Sequence, residues 1–279
     1  MRKSAFTILI FLALALKSFA TGQIPDLLIV GGDTLRLYAN PLELYFTQGY
    51  PREFPGLMGC GSTACWRGYQ AIWTIIDNKL YLLRIQSCHR AEQCSDTRPA
   101  NLQQMFGDRF KDGKVFANWV TDSLTAPFGN SLRYVHMGYA STYEYDKLIS
   151  VKAGNIEFIK DFHNIFPDPK RLSRYDDSLM HKTIFNLVDK KIRWNKLEKD
   201  VDDWWFEDIV IVITKKGGTK VVKNSLTIED YYPELNRILK NVKWEVVKKF
   251  DIPIEEEYSF TFYFDYKHKR VLDSNETLY

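Results

Sequence analysis

Along the first half of the chain, apolar and polar residues alternate in short runs broken by turn residues, the two-residue period of half-buried strands. Leu27 to Val30 and Thr34 to Tyr38 flank Gly31-Gly32-Asp33, and Tyr69 to Ile76 and Lys79 to Ile85 flank Asp77-Asn78, so each pair reads as a hairpin. Val115 to Val120, Leu132 to His136, Thr142 to Val151 and Ile156 to Ile159 continue the series, with breaks at Gly129-Asn130, Gly138 and Ala153-Gly154-Asn155. Asn101 to Phe106 is the one helical candidate in this part. Residues 21–162 are therefore expected to form a mainly antiparallel β domain.

Between His163 and Arg174 the periodicity stops, and Pro167 and Pro169 stand among charges, so residues 163–178 read as a linker. Beyond it Asp177 or Ser178 can cap a helix carrying Met180, Ile184, Leu187 and Val188 at helical spacing. Asp208 to Lys215 alternates around a β-branched core and turns through Lys216-Gly217-Gly218 into Thr219 to Lys223. A second helix from about Tyr231 to Asn241 keeps Pro233 in its first turn and puts Tyr231, Leu235, Ile238, Leu239 and Val242 on one stripe. Tyr258, Phe260, Phe262 and Phe264 then alternate with polar residues as a strand with one buried face. The order helix, hairpin, helix, strand makes residues 179–266 a small α+β domain, and residues 267–279 read as a flexible tail.

The N-terminus departs from both patterns. Arg2 and Lys3 precede an apolar run from Ala5 to Leu16 and then Ser18-Phe19-Ala20, the three regions of a signal peptide over residues 1–20, cleaved after Ala20. The run is too short to span a bilayer, and no later stretch reaches the roughly 18 apolar residues of a membrane helix. The mature chain is thus expected in the periplasm or outside the cell, without membrane insertion. The formal charge of +3 comes from Arg2, Lys3 and Lys17 in this segment, and the rest of the chain carries 35 basic and 35 acidic side chains. A neutral body without a basic block argues against nucleic-acid binding.

Export changes the meaning of the cysteines. Cys60, Cys65, Cys88 and Cys94 form an even, clustered set, which in an oxidising compartment predicts two disulfides with three pairings open. The rival is a metal site with His89 as a further ligand, but the C-x4-C and C-x5-C spacings are looser than zinc knuckles, so no metal is expected.

Candidate chemistry is sparse. The chain has no G-x-S-x-G elbow, no H-E-x-x-H and no phosphate loop, so no cofactor is expected and an enzyme is the lesser reading. His136, with Glu144 a turn away, offers an imidazole polarised by a carboxylate, a possible general base; the plainer reading satisfies it by backbone or tyrosine hydroxyls. Arg67 beside Trp66 and Tyr69 could form a cationic and aromatic patch for a carboxylate or sugar; the plainer reading packs the rings in the core and pairs Arg67 at the rim. In Trp204-Trp205-Phe206 the three rings cannot all face inward, so at least one is exposed or covered by a partner surface.

Particular residues also carry a resemblance. Met180 to Asp265, with the amphipathic helix, Ile209 to Thr214 and Val221-Val222 around Gly217-Gly218, the helix ending Leu239-Lys240-Asn241-Val242-Lys243-Trp244, and Ile252-Pro253-Ile254, resembles the TonB C-terminal domain. That resemblance implies a small sheet backed by two helices that binds partners through its sheet edge, here Tyr258 to Asp265 or Thr219 to Lys223. In the first part, Cys65-Trp66-Arg67-Gly68-Tyr69, Trp73-Thr74-Ile75, Phe116-Ala117-Asn118-Trp119 and Tyr134 to Tyr139 resemble an uncharacterised bacterial exported-protein family, which implies no activity. The expectation is an α+β, two-domain envelope protein that binds a protein partner without catalysis, the alternative being a hydrolase or small-ligand sensor built on His136, Glu144 and Arg67.

Overall fold

Four positive φ angles, at Gly31 (61°), Gly32 (90°), Asp77 (49°) and Asn78 (56°), close the two hairpins on which the first unit is built. The computed structural model describes residues 21–57, 62–88, 98–197, 204–222 and 231–273. The signal-peptide segment, Cys60, Cys94 and the last six residues lie outside them. The fold is mixed α+β, strand-rich, with four α-helices among the described residues. It divides into two units: residues to Thr142 with Lys147–Lys160, and Tyr143–Asp146 with the chain from Asp161 onward.

In the first unit β1 (Asp26–Val30) and β2 (Asp33–Leu37) form one hairpin, and β3 (Gln70–Ile76) and β4 (Lys79–Gln86) the other. β1 and β3 run parallel, with Leu28 opposite Trp73, the exception to the expected antiparallel pattern. The sheet continues through β5 (Phe110–Lys111), β6 (Lys114–Phe116), β7 (Asp122–Arg133), β8 (Thr142–Lys152) and β9 (Asn155–His163), in the order β2-β1-β3-β4-β9-β8-β7 with β6 on β4. The sheet curls until its end strands meet, where the Tyr38 N–H donates to the Thr125 carbonyl at 2.7 Å. Inside lie Leu28, Leu37, Trp73, Leu80, Leu82, Trp119, Leu124 and Ile149, with Phe106 stacked on Trp119 at 5.7 Å. Each such side chain contributes about 1.5–3 kcal/mol by leaving water.

Two local expectations change here. Gly129-Asn130 does not break a strand: β7 runs through it and through Pro127, which a strand at the end of the sheet tolerates because one side needs no ladder donor. A helix that alternation did not reveal, α1 (Pro41–Thr47), starts at a proline and buries Leu42 and Tyr45. The anticipated helix is α2 (Leu102–Phe106), capped by the Asn101 side chain accepting from the Gln104 N–H at 3.0 Å.

The second unit holds the expected order with additions. α3 (Asp177–Lys191) is capped by Asp176, one residue ahead of the anticipated caps, and buries Met180, Ile184, Phe185 and Val188. The sheet is β12-β11-β15-β16, from β11 (Trp204–Ile213), β12 (Thr219–Val222), β15 (Glu256–Asp265) and β16 (Arg270–Asp273). α4 (Tyr231–Leu239) lays Tyr231, Leu235, Ile238 and Leu239 into the same core as Phe260, Phe262 and Phe264. A small sheet joins β10 (Ile165–Phe166), β13 (Val246–Lys249) and β14 (Ile252–Pro253).

Residues 163–178 are not a linker. β10 pairs with β13, Leu172 bridges Trp244, and the Arg174 guanidinium is buried 3.6 Å from Glu256. The prolines stop helix and strand periodicity without preventing docking, which is why the stretch lacked a signal. Nor is all of 267–279 a tail, because β16 pairs Arg270–Asp273 with the end of β15.

Candidate functional site

Arg67 lies in the turn just before β3, and its side chain is buried rather than set at a rim. Both it and Asp26, the first residue of β1, are closed off from solvent and stand 3.2 Å apart. The guanidinium also donates to the Asn40 side-chain oxygen and, at 2.8 Å, to the Ile24 carbonyl. Asn40 precedes α1 and accepts from the Tyr139 hydroxyl at 2.8 Å. Asp26 accepts from the Ala71 N–H at 3.1 Å and from the Trp73 indole N–H at 3.0 Å. Tyr69 turns the other way, donating at 2.6 Å to Glu43 of α1, which also holds Arg52 at 2.5 Å.

The electrostatics follow from burial. Desolvation pushes the Asp26 carboxyl up to about 6, against the pull of Arg67 and the Trp73 and Ala71 N–H groups. Burial likewise pushes the Tyr139 phenol up to about 12 and the Tyr69 phenol higher still, the latter reinforced by the charges of Asp26 and Glu43. Neither phenol is available as an anion at neutral pH. Arg67 directs its donors at internal acceptors, so the arrangement is a satisfied buried network that locks β1, α1 and β3 together.

The aromatic neighbours separate. Tyr69, Trp73 and Trp119 are buried as the plain packing reading has it, whereas Trp66 is 65% exposed beside Arg52, whose guanidinium lies 5.9 Å from its ring. Arg52 also sits 5.1 Å from the Phe46 ring and 5.8 Å from the Tyr69 ring, a cation in an aromatic surround. His136 is exposed, and its Nδ1 meets the Tyr134 hydroxyl at 2.7 Å, so its partner is a phenol rather than a carboxylate. Glu144 lies in β8, in the stretch grouped with the second unit, where its carbonyl accepts from the Asn164 N–H at 2.9 Å.

In the second unit β15 pairs with β11 along its whole length, and among the described residues Glu256–Thr261 pairs with β11 alone. Over Phe262–Asp265 it pairs with β11 on one side and β16 on the other, which corrects the expectation of a free edge there. The other anticipated edge is at the margin: among the described residues β12 ends the sheet order and pairs with β11 alone. The Tyr232 hydroxyl donates to its Val221 carbonyl at 3.2 Å. Of the three adjacent aromatics, Phe206 is 51% exposed and stacked on a half-buried Trp205 at 5.8 Å; the Trp204 side chain lies outside the described residues.

Cys65 and Cys88 are disulfide-bonded with Cα atoms 6.3 Å apart, which selects one bridge among the possible pairings. Among the described residues no three His, Cys, Asp or Glu side chains gather as a metal site, and no helix is long and apolar enough to cross a membrane. Sequence reasoning missed Asp26, Asn40, Glu43 and Tyr139 as parts of the Arg67 network. The available signal was Asp26 itself, an acid opening an apolar strand. No family model, no curated protein and no solved structure matches this chain.

Proposed function

We propose that the chain is an exported envelope protein that binds a polypeptide partner without catalysis, the partner adding a strand to β12 of the second unit. The observation carrying this reading is the place of β12: four residues at the margin of an antiparallel sheet, paired on one side among the described residues, with Lys220 exposed between Thr219 and Val221. The helix, hairpin, helix, strand order supports a likeness to the TonB C-terminal domain, and the Cys65 to Cys88 bridge fits an oxidising compartment. The satisfied state of Arg67 and the phenol partner of His136 favour binding over hydrolysis in the first unit.

Proline scanning tests it. Val221→Pro removes a backbone donor at the sheet margin, while Thr261→Pro removes one from β15, whose Thr261 lies opposite Asp208 and donates to it at 2.6 Å. A photo-crosslinker at Lys220 in living cells is expected to join one reproducible envelope protein, and Val221→Pro in a folded chain to abolish that product. Undiminished capture by folded Val221→Pro overturns edge pairing. Thr261→Pro, on the half of β15 that pairs with β11 alone among the described residues, probes the other anticipated edge and is expected to leave the Lys220 product in place in a folded chain.

A further inference from the structure

A cleft of about 140 Å³ opens in the first unit, lined by Tyr45, Pro51, Glu53, Pro55, Gln104 and Met105. It is built from α1, the loop after it and α2, and the loop is held firmly. Tyr50 stacks on Tyr45 at 4.0 Å and 3°, Phe54 packs edge-on against Phe46 at 5.7 Å, and the Asn101 N–H donates to the Pro55 carbonyl at 2.7 Å. The cleft is therefore formed before anything enters it.

Its polar groups are unspent. Among the described residues the Glu53 carboxylate, the Gln104 carboxamide and the Tyr45 hydroxyl have no hydrogen-bond or ion-pair partner, although Tyr45 is only 5% exposed. Of the arginines nearby, Arg52 is paired with Glu43 at 2.5 Å, and Arg109 holds the Tyr50 hydroxyl at 2.8 Å and the Tyr50 ring at 5.0 Å while its charge also acts on Tyr45. Glu53 is thus a negative charge without a cation, on the rim of a socket whose walls are two prolines and a methionine.

Size and shape select the ligand. The volume takes the end of one side chain rather than a cofactor. A sugar ring needs an open aromatic face, and Tyr45 has none to offer, covered by Tyr50 at 4.0 Å and by Trp119 and Phe106 at 5.0 Å each. A primary ammonium on an aliphatic stem fits this lining: Pro51, Pro55 and Met105 offer apolar contact to the stem, the Glu53 carboxylate offers the counter-charge and the Gln104 carbonyl a further acceptor. We infer that this cleft binds such a group, presented as a lysyl side chain on a partner polypeptide.

The test is methyl NMR on the full mature, oxidised chain, following the Met105 methyl signal. Titration with Nα-acetyl-lysine methylamide is expected to shift it saturably. The norleucine analogue, which keeps the stem and lacks the charge, and methyl glucoside are expected not to. Glu53→Gln, a surface change whose other methyl signals should stay in place, is expected to weaken lysine binding at least tenfold, and Gln104→Ala to weaken it less. Equal response to norleucine, binding of the glucoside, full binding by Glu53→Gln or no saturable shift with lysine each overturn the inference. Butylammonium binding more tightly than the blocked lysine overturns the polypeptide source.

Discussion

The Asp26 carboxylate and the Arg67 guanidinium face each other at 3.2 Å with neither side chain open to solvent, although 41 positions separate them in the chain. Arg67 alone would be an uncompensated buried charge, and Asp26, Asn40 and the Ile24 carbonyl together supply its acceptors. The pair ties the first strand of the sheet to the segment entering β3, so the network that looked like a ligand site is a device of the fold.

Burial of Asp26 makes this unit's stability depend on pH. Its carboxyl is raised from 3.8 in the open chain to about 6 in the fold, so the fold favours the protonated form. The stabilisation from this group is complete below about pH 4 and is lost as pH rises through about 6. The stability difference between the natural chain and Asp26→Asn, measured by urea unfolding, is expected to fall by on the order of 3 kcal/mol between pH 4 and 7. A flat or rising difference contradicts it.

The opposite sign applies to Glu234 in the second unit. Burial opposes its ionisation, but Arg193 and Arg237 outweigh that and hold the carboxyl down at about 2, from an ordinary 4.5. Its contribution is complete above pH 4.5 and disappears as pH falls through about 2. Glu234→Gln is expected to cost about 1–3 kcal/mol at neutral pH, with the gap to the natural chain closing toward pH 2 in acid titrations followed by circular dichroism.

Gly217 turns β11 toward β12 at a φ of 73°, and its carbonyl accepts from the Trp244 N–H at 2.8 Å. A Cβ there would run into the Trp244 carbonyl and the Arg171 guanidinium, in a backbone region that side chains avoid. Gly217→Ala is expected to destabilise the second unit by about 2 kcal/mol or more, seen as a lower denaturation midpoint. Gly218→Ala, where φ is ordinary and the nearest atom is the Thr214 hydroxyl at 3.2 Å, is expected to cost less.

The bridge between Cys65 and Cys88 closes a loop of 23 residues and is expected to add about 3 kcal/mol to the stability of the first unit. Peptide mapping without reduction should recover the Cys65 to Cys88 linkage. The double change Cys65→Ala with Cys88→Ala should lower the urea midpoint. Recovery of Cys65 joined to Cys60 or Cys94 contradicts this pairing.

Local chemistry alone determined a good deal of this protein. Two-residue alternation marked β1 to β4, β8, β11 and β15; helical spacing marked α3 and α4; turn residues placed the hairpins, because each of these signals acts within a few positions along the chain. Tertiary structure decided what sequence distance hides. It covered the end of β15, Phe262–Asp265, by returning β16 beside it, folded the proline-bearing stretch at 163–178 onto Trp244 and Glu256, paired β1 with β3 in parallel, and turned Arg67 inward to Asp26. Polar burial of that kind depends on which acceptors other segments bring within about 3 Å, and periodicity, which reports only the face a residue occupies, carries no information about them.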